Sequence, residues 1–211
     1  MRTLLNYNDD YSHSYREQLS KAILQSKGLG FTRPALISEC TCISDDTLNK
    51  AEELLRELTP ILNNILPSYW GNSCQTLATF FFAYLNSRNI AADIVLGNVI
   101  IHGNDEFEVT LESLQAEVIS TSPLTGDQAV HAWVSLGDDT IIDAALPQRL
   151  VKYYKAPREF DVMTVIGRAS EMSSNYQLRY QPILVGTEFF AKTNTSDPID
   201  LLNAFKQQMR P

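Results

Sequence analysis

The sequence predicts an α+β fold with helices and strands in separate stretches of the chain. Helical spacing of apolar residues dominates up to Asn86, with two longer segments and a shorter one opening at Cys74. From Ala92 the pattern changes to short β-branched runs broken by turn residues. A helical pattern returns only after Asp197. Alternating strand and helix signals would read as a parallel α/β sheet, whereas segregated runs read as α+β with an antiparallel sheet.

The elements follow in order. Residues 11–27 carry a moderate amphipathic pattern, stopped by Gly28 and Gly30. Residues 45–66 follow Ser44 as N-cap, with Leu48, Ala51, Leu54, Leu55 and Leu58 at helical spacing. Pro60 is expected to bend or break that helix, and Pro67 to end it. SYWGNSC is a turn in which Ser73 is a natural N-cap. The next helix runs from Cys74 to about Asn86, burying Leu77, Phe80, Phe81, Tyr84 and Leu85. ADIVLGNVII, 92–101, is a strand, and 107–119 a second strand or short hairpin. STSPLTGDQ, 120–128, is a loop. AVHAWVSLG, 129–137, and TIIDAAL, 140–146, are strands joined by a tight turn at Gly137-Asp138-Asp139. Further strands are expected at 160–166 and 178–185. A last helix spans 198–209, capped by Asp197, with Pro198 in its first turn and Ile199, Leu202 and Phe205 facing inward.

A length of 211 residues suits one domain, with 44% hydrophobic and 20% charged residues in the ordinary globular range. The net charge of −8 argues against nucleic acid or an anionic membrane as partner. No run spans a bilayer, and MRTLLNYNDDYSHSY lacks a signal-peptide core, so a cytoplasmic protein is expected. Three cysteines make no even disulfide framework. Cys40 and Cys42, in ISECTCIS, read as packing residues of an extended segment. They have no companions to make a metal site, and no cofactor is called for.

Chemistry concentrates at Cys74. A thiol in the first turn of a helix meets free N–H groups and the positive end of the helix dipole, an environment that lowers a thiol pKa below ~8.5. A nucleophilic thiol also needs a base. His13 lies in a polar segment, and His102 ends a strand. His131 sits inside one, between Val130 and Ala132. A core histidine satisfied by backbone is the plain reading of it. Asp143, however, interrupts the next apolar strand, where an unpaired carboxylate is costly. Pairing about the turn near Asp138 sets residue 131 level with 143–145, so Asp143 can accept from one ring nitrogen of His131. The other nitrogen is then free for the thiol.

A cysteine at a helix start, a strand reading HAWV, a short turn and a strand ending IID together resemble the transglutaminase-like superfamily. ADIVLGNV resembles the strand between cysteine and histidine in that group. The resemblance covers Cys74 to about Pro147 and implies a papain-like fold, with its core at 66–147 inside a single domain of 1–211. It also implies a Cys-His-Asp triad of nucleophile Cys74, acid–base His131 and orienting Asp143. Gln75 and Thr76 after the cysteine, and the long segment 102–128, depart from the pattern. No carboxylate run has the spacing of a calcium loop.

Trp70 and Asn72 are candidate side-chain donors to an oxyanion, beside the backbone N–H of Cys74. Tyr69, Trp70 and Trp133 either line a cleft or pack. The expected activity is thiol-dependent acyl transfer at a peptide, protein or small amide substrate, resolved by water or by a second amine. A non-catalytic peptide- or protein-binding module on the same fold, and an arylamine N-acetyltransferase-like enzyme, are the alternatives.

Overall fold

A computed structural model describes residues 11–120, 130–194 and 196–208. In chain order these form α1 (Tyr11–Gly28), α2 (Asp45–Ile65), α3 (Cys74–Ser87), β1 (Asp93–Ile101), β2 (Asn104–Asp105) and α4 (Leu111–Ile119). There follow β3 (His131–Ser135), β4 (Thr140–Asp143), α5 (Leu146–Tyr154), β5 (Val165–Arg168), α6 (Ala169–Tyr176), β6 (Leu178–Val185), α7 (Glu188–Thr193) and α8 (Pro198–Gln208). The fold is α+β, and every strand pairing is antiparallel.

The sheet runs β6-β1-β3-β4-β5, with β2 continuing the β3 edge of β1. Alternation along each strand supplies two cores. Ile94, Leu96, Ala132 and Val134 face Leu77, Phe81 and Phe82 of α3 and Leu58 and Leu62 of α2. Val95, Val99, Trp133, Ile141 and Tyr180 face Tyr15, Leu19 and Ala22 of α1. The β3–β4 turn takes left-handed backbone at Gly137 and Asp138. Arg16 of α1 and Arg168 of β5 hold Asp138 at 2.5 and 2.9 Å, tying that turn to its neighbours.

Gly97 lets β6 close on β1. A Cβ there would lie 2.0 Å from the Gln181 carbonyl oxygen, at the point where the β1–β6 register shifts. Gly97→Ala is expected to cost about 1–3 kcal/mol through overpacking against backbone that cannot yield. Urea denaturation measures it.

Several expectations need correction. Residues 111–119 are a helix rather than a strand. Thr110 and Ser113 cap each other reciprocally, which outweighs the β-branched Val118 and Ile119. Helix α2 passes through Pro60 without ending, because Leu55, Leu58 and Leu62 on either side are buried in the core. Ser44 does cap α2, accepting from the Thr47 amide at 3.2 Å. Ser73 makes no side-chain cap to α3.

The strand expected at 140–146 stops at Asp143, and α5 begins at Leu146. Residues 158–162 form a 3₁₀ turn, with strand only from Val165. Cys40 and Cys42 are exposed on a loop rather than packed in the core. Residues 121–128 of the expected loop lie outside the described residues.

Candidate active site

Cys74 is the first residue of α3 and follows a 3₁₀ turn, Trp70–Asn72. Ser73 makes no side-chain cap, so its hydroxyl does not take up the free amides of the first turn at the sulfur. The thiol is buried and points at the Val130 carbonyl, 3.6 Å away, at the entrance to β3. The next residue is His131, whose exposure is 0%.

The Val134–Ile142 pairing of the hairpin sets Trp133 across from Asp143, which makes His131 and Asp143 diagonal neighbours on one face. His131 Nε2 and Asp143 Oδ2 are 2.6 Å apart. The carboxylate is otherwise fully engaged. Its Oδ1 accepts from the amides of Ala145 and Leu146 at 2.9 and 3.1 Å, and Oδ2 also accepts from Tyr180 Oη at 3.0 Å. The chain turns after Asp143 so that the start of α5 supplies those two amides.

His131 Nδ1 is buried and has no hydrogen-bond partner among the described residues. Cys74 is close enough for its sulfur to help the imidazole hold a proton. The thiol hydrogen nevertheless points to Val130, and no hydrogen bond to Nδ1 forms. At rest the sulfur and the imidazole are neighbours that have not engaged.

Burial alone would lower the His131 pKa. The Asp143 charge and hydrogen bond outweigh burial, with a smaller push from Cys74, and raise it to about 10. For Asp143 burial pushes upward, but the imidazole and the two backbone amides hold the carboxyl below its ordinary range. The resting pair is therefore an imidazolium and a carboxylate.

A strap covers the imidazole. Phe107 stacks on it with ring centroids 4.8 Å apart and planes 12° apart. The Arg149 guanidinium lies 5.0 Å over the Phe107 ring and pairs with Glu106 at 2.5 Å. Arg149 also donates to Asn72 Oδ1 at 3.2 Å and to the Gly71 carbonyl at 3.4 Å. Tyr154 donates to Glu106. The segment between β2 and α4 is thus clamped to α5 and to the turn before Cys74.

The structure brings Cys74, His131 and Asp143 together. It changes the parts of Trp70 and Trp133. The Trp70 indole N–H already donates to the Leu66 carbonyl at 2.9 Å, so it is not free for an oxyanion. The Trp133 indole donates to Tyr15 Oη at 3.1 Å inside the core. Asn72 is exposed beside the strap and its side-chain oxygen is taken by Arg149. The Tyr69 hydroxyl is buried against Gly71, with no hydrogen-bond partner among the described residues.

Phe107, Arg149 and Tyr180 are site residues that sequence reasoning did not raise. The one local signal was Tyr180, a polar-tipped aromatic on the inward face of a strand. Among the described residues, no group of three or more His, Cys, Asp or Glu side chains could hold a metal ion. No described helix is long and apolar enough to cross a membrane. Comparisons with family models, with curated proteins and with solved structures find no match to this chain.

Proposed function

We propose that this protein is a thiol-dependent acyl-transfer enzyme of transglutaminase-like type, on a papain-like fold, acting on an amide or peptide bond. One observation carries the reading: a buried imidazole has one nitrogen fixed by a carboxylate, while the other is unpartnered beside a cysteine at a helix start. Structural histidines satisfy both nitrogens, because a buried orphan donor costs about 1–3 kcal/mol. A catalytic base must keep one for its substrate proton.

In the proposed cycle the His131 imidazolium first releases its Nδ1 proton to solvent, and the neutral ring then takes the Cys74 proton on Nδ1. The sulfur attacks the substrate carbonyl, and the oxyanion faces the Cys74 backbone N–H at the uncapped end of α3. The C–N bond then breaks, and His131 Nδ1–H gives its proton to the departing amine. A water, deprotonated by the same nitrogen, attacks the thioester and releases a carboxylic acid. The thiol recovers its proton. Asp143 holds the ring in the tautomer and orientation that both transfers require. Hydrolysis is the preferred outcome, and an amine acceptor in place of water gives transglutaminase chemistry. The strap must move for a substrate to reach the imidazole face now covered by Phe107.

The chain contains its own controls, since Cys40 and Cys42 are exposed free thiols. In brief iodoacetamide labelling near neutral pH, read by peptide mass spectrometry, Cys74 is expected to react about tenfold faster than either despite its burial. Cys74 should also form a hydroxylamine-labile acyl adduct with an activated ester. The reading fails if Cys74 lags behind both exposed thiols in the native protein and in Phe107→Ala, where the covering ring is gone.

A further inference from the structure

We propose that Tyr180 is a positioning residue of the triad: its hydroxyl fixes Asp143 Oδ2, and through it sets the proton affinity and orientation of His131. The inference rests on the catalytic reading above. Asp143 Oδ2 accepts from both His131 Nε2 and Tyr180 Oη, at 2.6 and 3.0 Å, and Oδ1 accepts from two amides. A carboxylate has about four lone-pair directions, so every one is filled. It cannot rotate without breaking a bond, and its charge is shared among four donors.

Tyr180 is itself closely packed. It is fully buried on β6, and its ring meets Trp133 edge-on at 5.2 Å and lies 6.4 Å from His131. Its own carbonyl accepts from Tyr11 Oη at 3.2 Å, and Gly97 lets the flanking backbone close on β1. Burial and the adjacent Asp143 charge raise the Tyr180 phenol well above its ordinary value, so it remains a donor throughout the range in which His131 titrates. A phenylalanine would satisfy the packing equally well. The hydroxyl is needed only by the carboxylate.

The titratable groups facing this cluster come from four elements. They are Asp143 on β4, Cys74 on α3, Tyr180 on β6 and Tyr15 on α1. Burial pushes the Tyr15 phenol well above its ordinary value, so it stays neutral.

Tyr180→Phe removes one donor and concentrates charge on the oxygen that faces His131. The imidazolium is then held more tightly. Followed by the ¹⁵N resonances of the three histidine rings, the His131 titration midpoint is expected to rise by about half a pH unit or more. Site-specific 3-fluorotyrosine at 180 keeps size and fold but makes the phenol a stronger donor, and the midpoint should fall. Cys74 alkylation should slow in Tyr180→Phe while Cys40 and Cys42 react as before.

A midpoint unchanged in both proteins, or moved in the same direction by both, overturns the inference. The titration needs no turnover. If it shifts as expected while Cys74 proves inert, the hydroxyl positions the pair and the catalytic reading is what fails. If Cys74 is activated and the midpoint stays fixed, the catalytic reading stands and Tyr180 is only packing.

Discussion

In His131→Ala protein, Cys74 is expected to lose about 10²-fold or more of its reactivity toward iodoacetamide near neutral pH, and amide turnover to fall by about 10²–10⁴. Among the described residues, His131 is the one histidine beside the sulfur. Of the remaining histidines, His102 lies in the turn after β1, and His13 pairs with Glu17 on the exposed side of α1. The carbonyl of Val130, which faces the sulfur, can accept a hydrogen bond but cannot take a proton. The pH dependence discriminates further. Asp143 raises His131 from 6.5 to about 10, so the ring keeps its proton through neutral pH and loses it only as pH rises through that value. Wild-type Cys74 reactivity should therefore show a feature near the His131 midpoint that is absent from the variant. Labelling of Cys40 and Cys42 reports any general loosening of the fold. If Cys74 keeps its rate in His131→Ala while those two are unchanged, the pair has no chemical meaning.

The part of the site that was legible from sequence was the part fixed by local chemistry. The Gly137-Asp138-Asp139 turn imposes a hairpin, and a hairpin register sets where His131 stands relative to Asp143. A carboxylate within TIID and a histidine within HAWV are each costly alone, and the hairpin offers one economical explanation for both. The helix at Cys74 was legible from its apolar stripe.

Tyr180 was hidden because it lies 37 residues from Asp143 and reaches it through β6, which pairs with β1 and not with β4. Phe107 and Arg149 were hidden for the same reason: their ring–cation contact depends on α5 folding back toward the turn before Cys74. The reading of 107–119 failed at a cap. Thr110 with Ser113 is a weaker sequence signal than Ser or Thr followed by Glu or Gln, yet it closes the same reciprocal hydrogen bonds. At Pro60 local propensity lost to burial, since leucines on both sides hold the helix against α3. At Cys40 and Cys42 alternation with Thr and Ile suggested packing where the loop exposes both sulfurs.

Asp143→Asn should separate stability from chemistry most sharply. Asparagine keeps the shape, and its oxygen can still accept from Ala145 and Leu146. Its NH₂ group, however, faces the two donors that shared Oδ2, His131 Nε2 and Tyr180 Oη. His131 must then accept at Nε2 and carry its proton on Nδ1, the nitrogen the thiol needs. Cys74 activation should fall about as far as in His131→Ala, although the imidazole is still present.

Removing one partner of a buried ion pair is expected to cost about 3–5 kcal/mol of stability. The pH window follows from the two shifts. The raised His131 contributes stability that is complete below its unfolded value of 6.5 and is lost as pH rises through about 10. The depressed Asp143 contributes stability that is present above its ordinary value of 3.8 and is lost as pH falls through its lower folded value. In the variant His131 is buried without a carboxylate, so burial now lowers its pKa, and acidification below 6.5 destabilises the fold. The gap between the two proteins should therefore be widest at mildly acidic pH and should narrow above about pH 10. Urea denaturation at several pH values measures it. A gap that is flat across that range would mean that the pair is not an imidazolium and a carboxylate, and that Asp143 serves the fold by its shape alone.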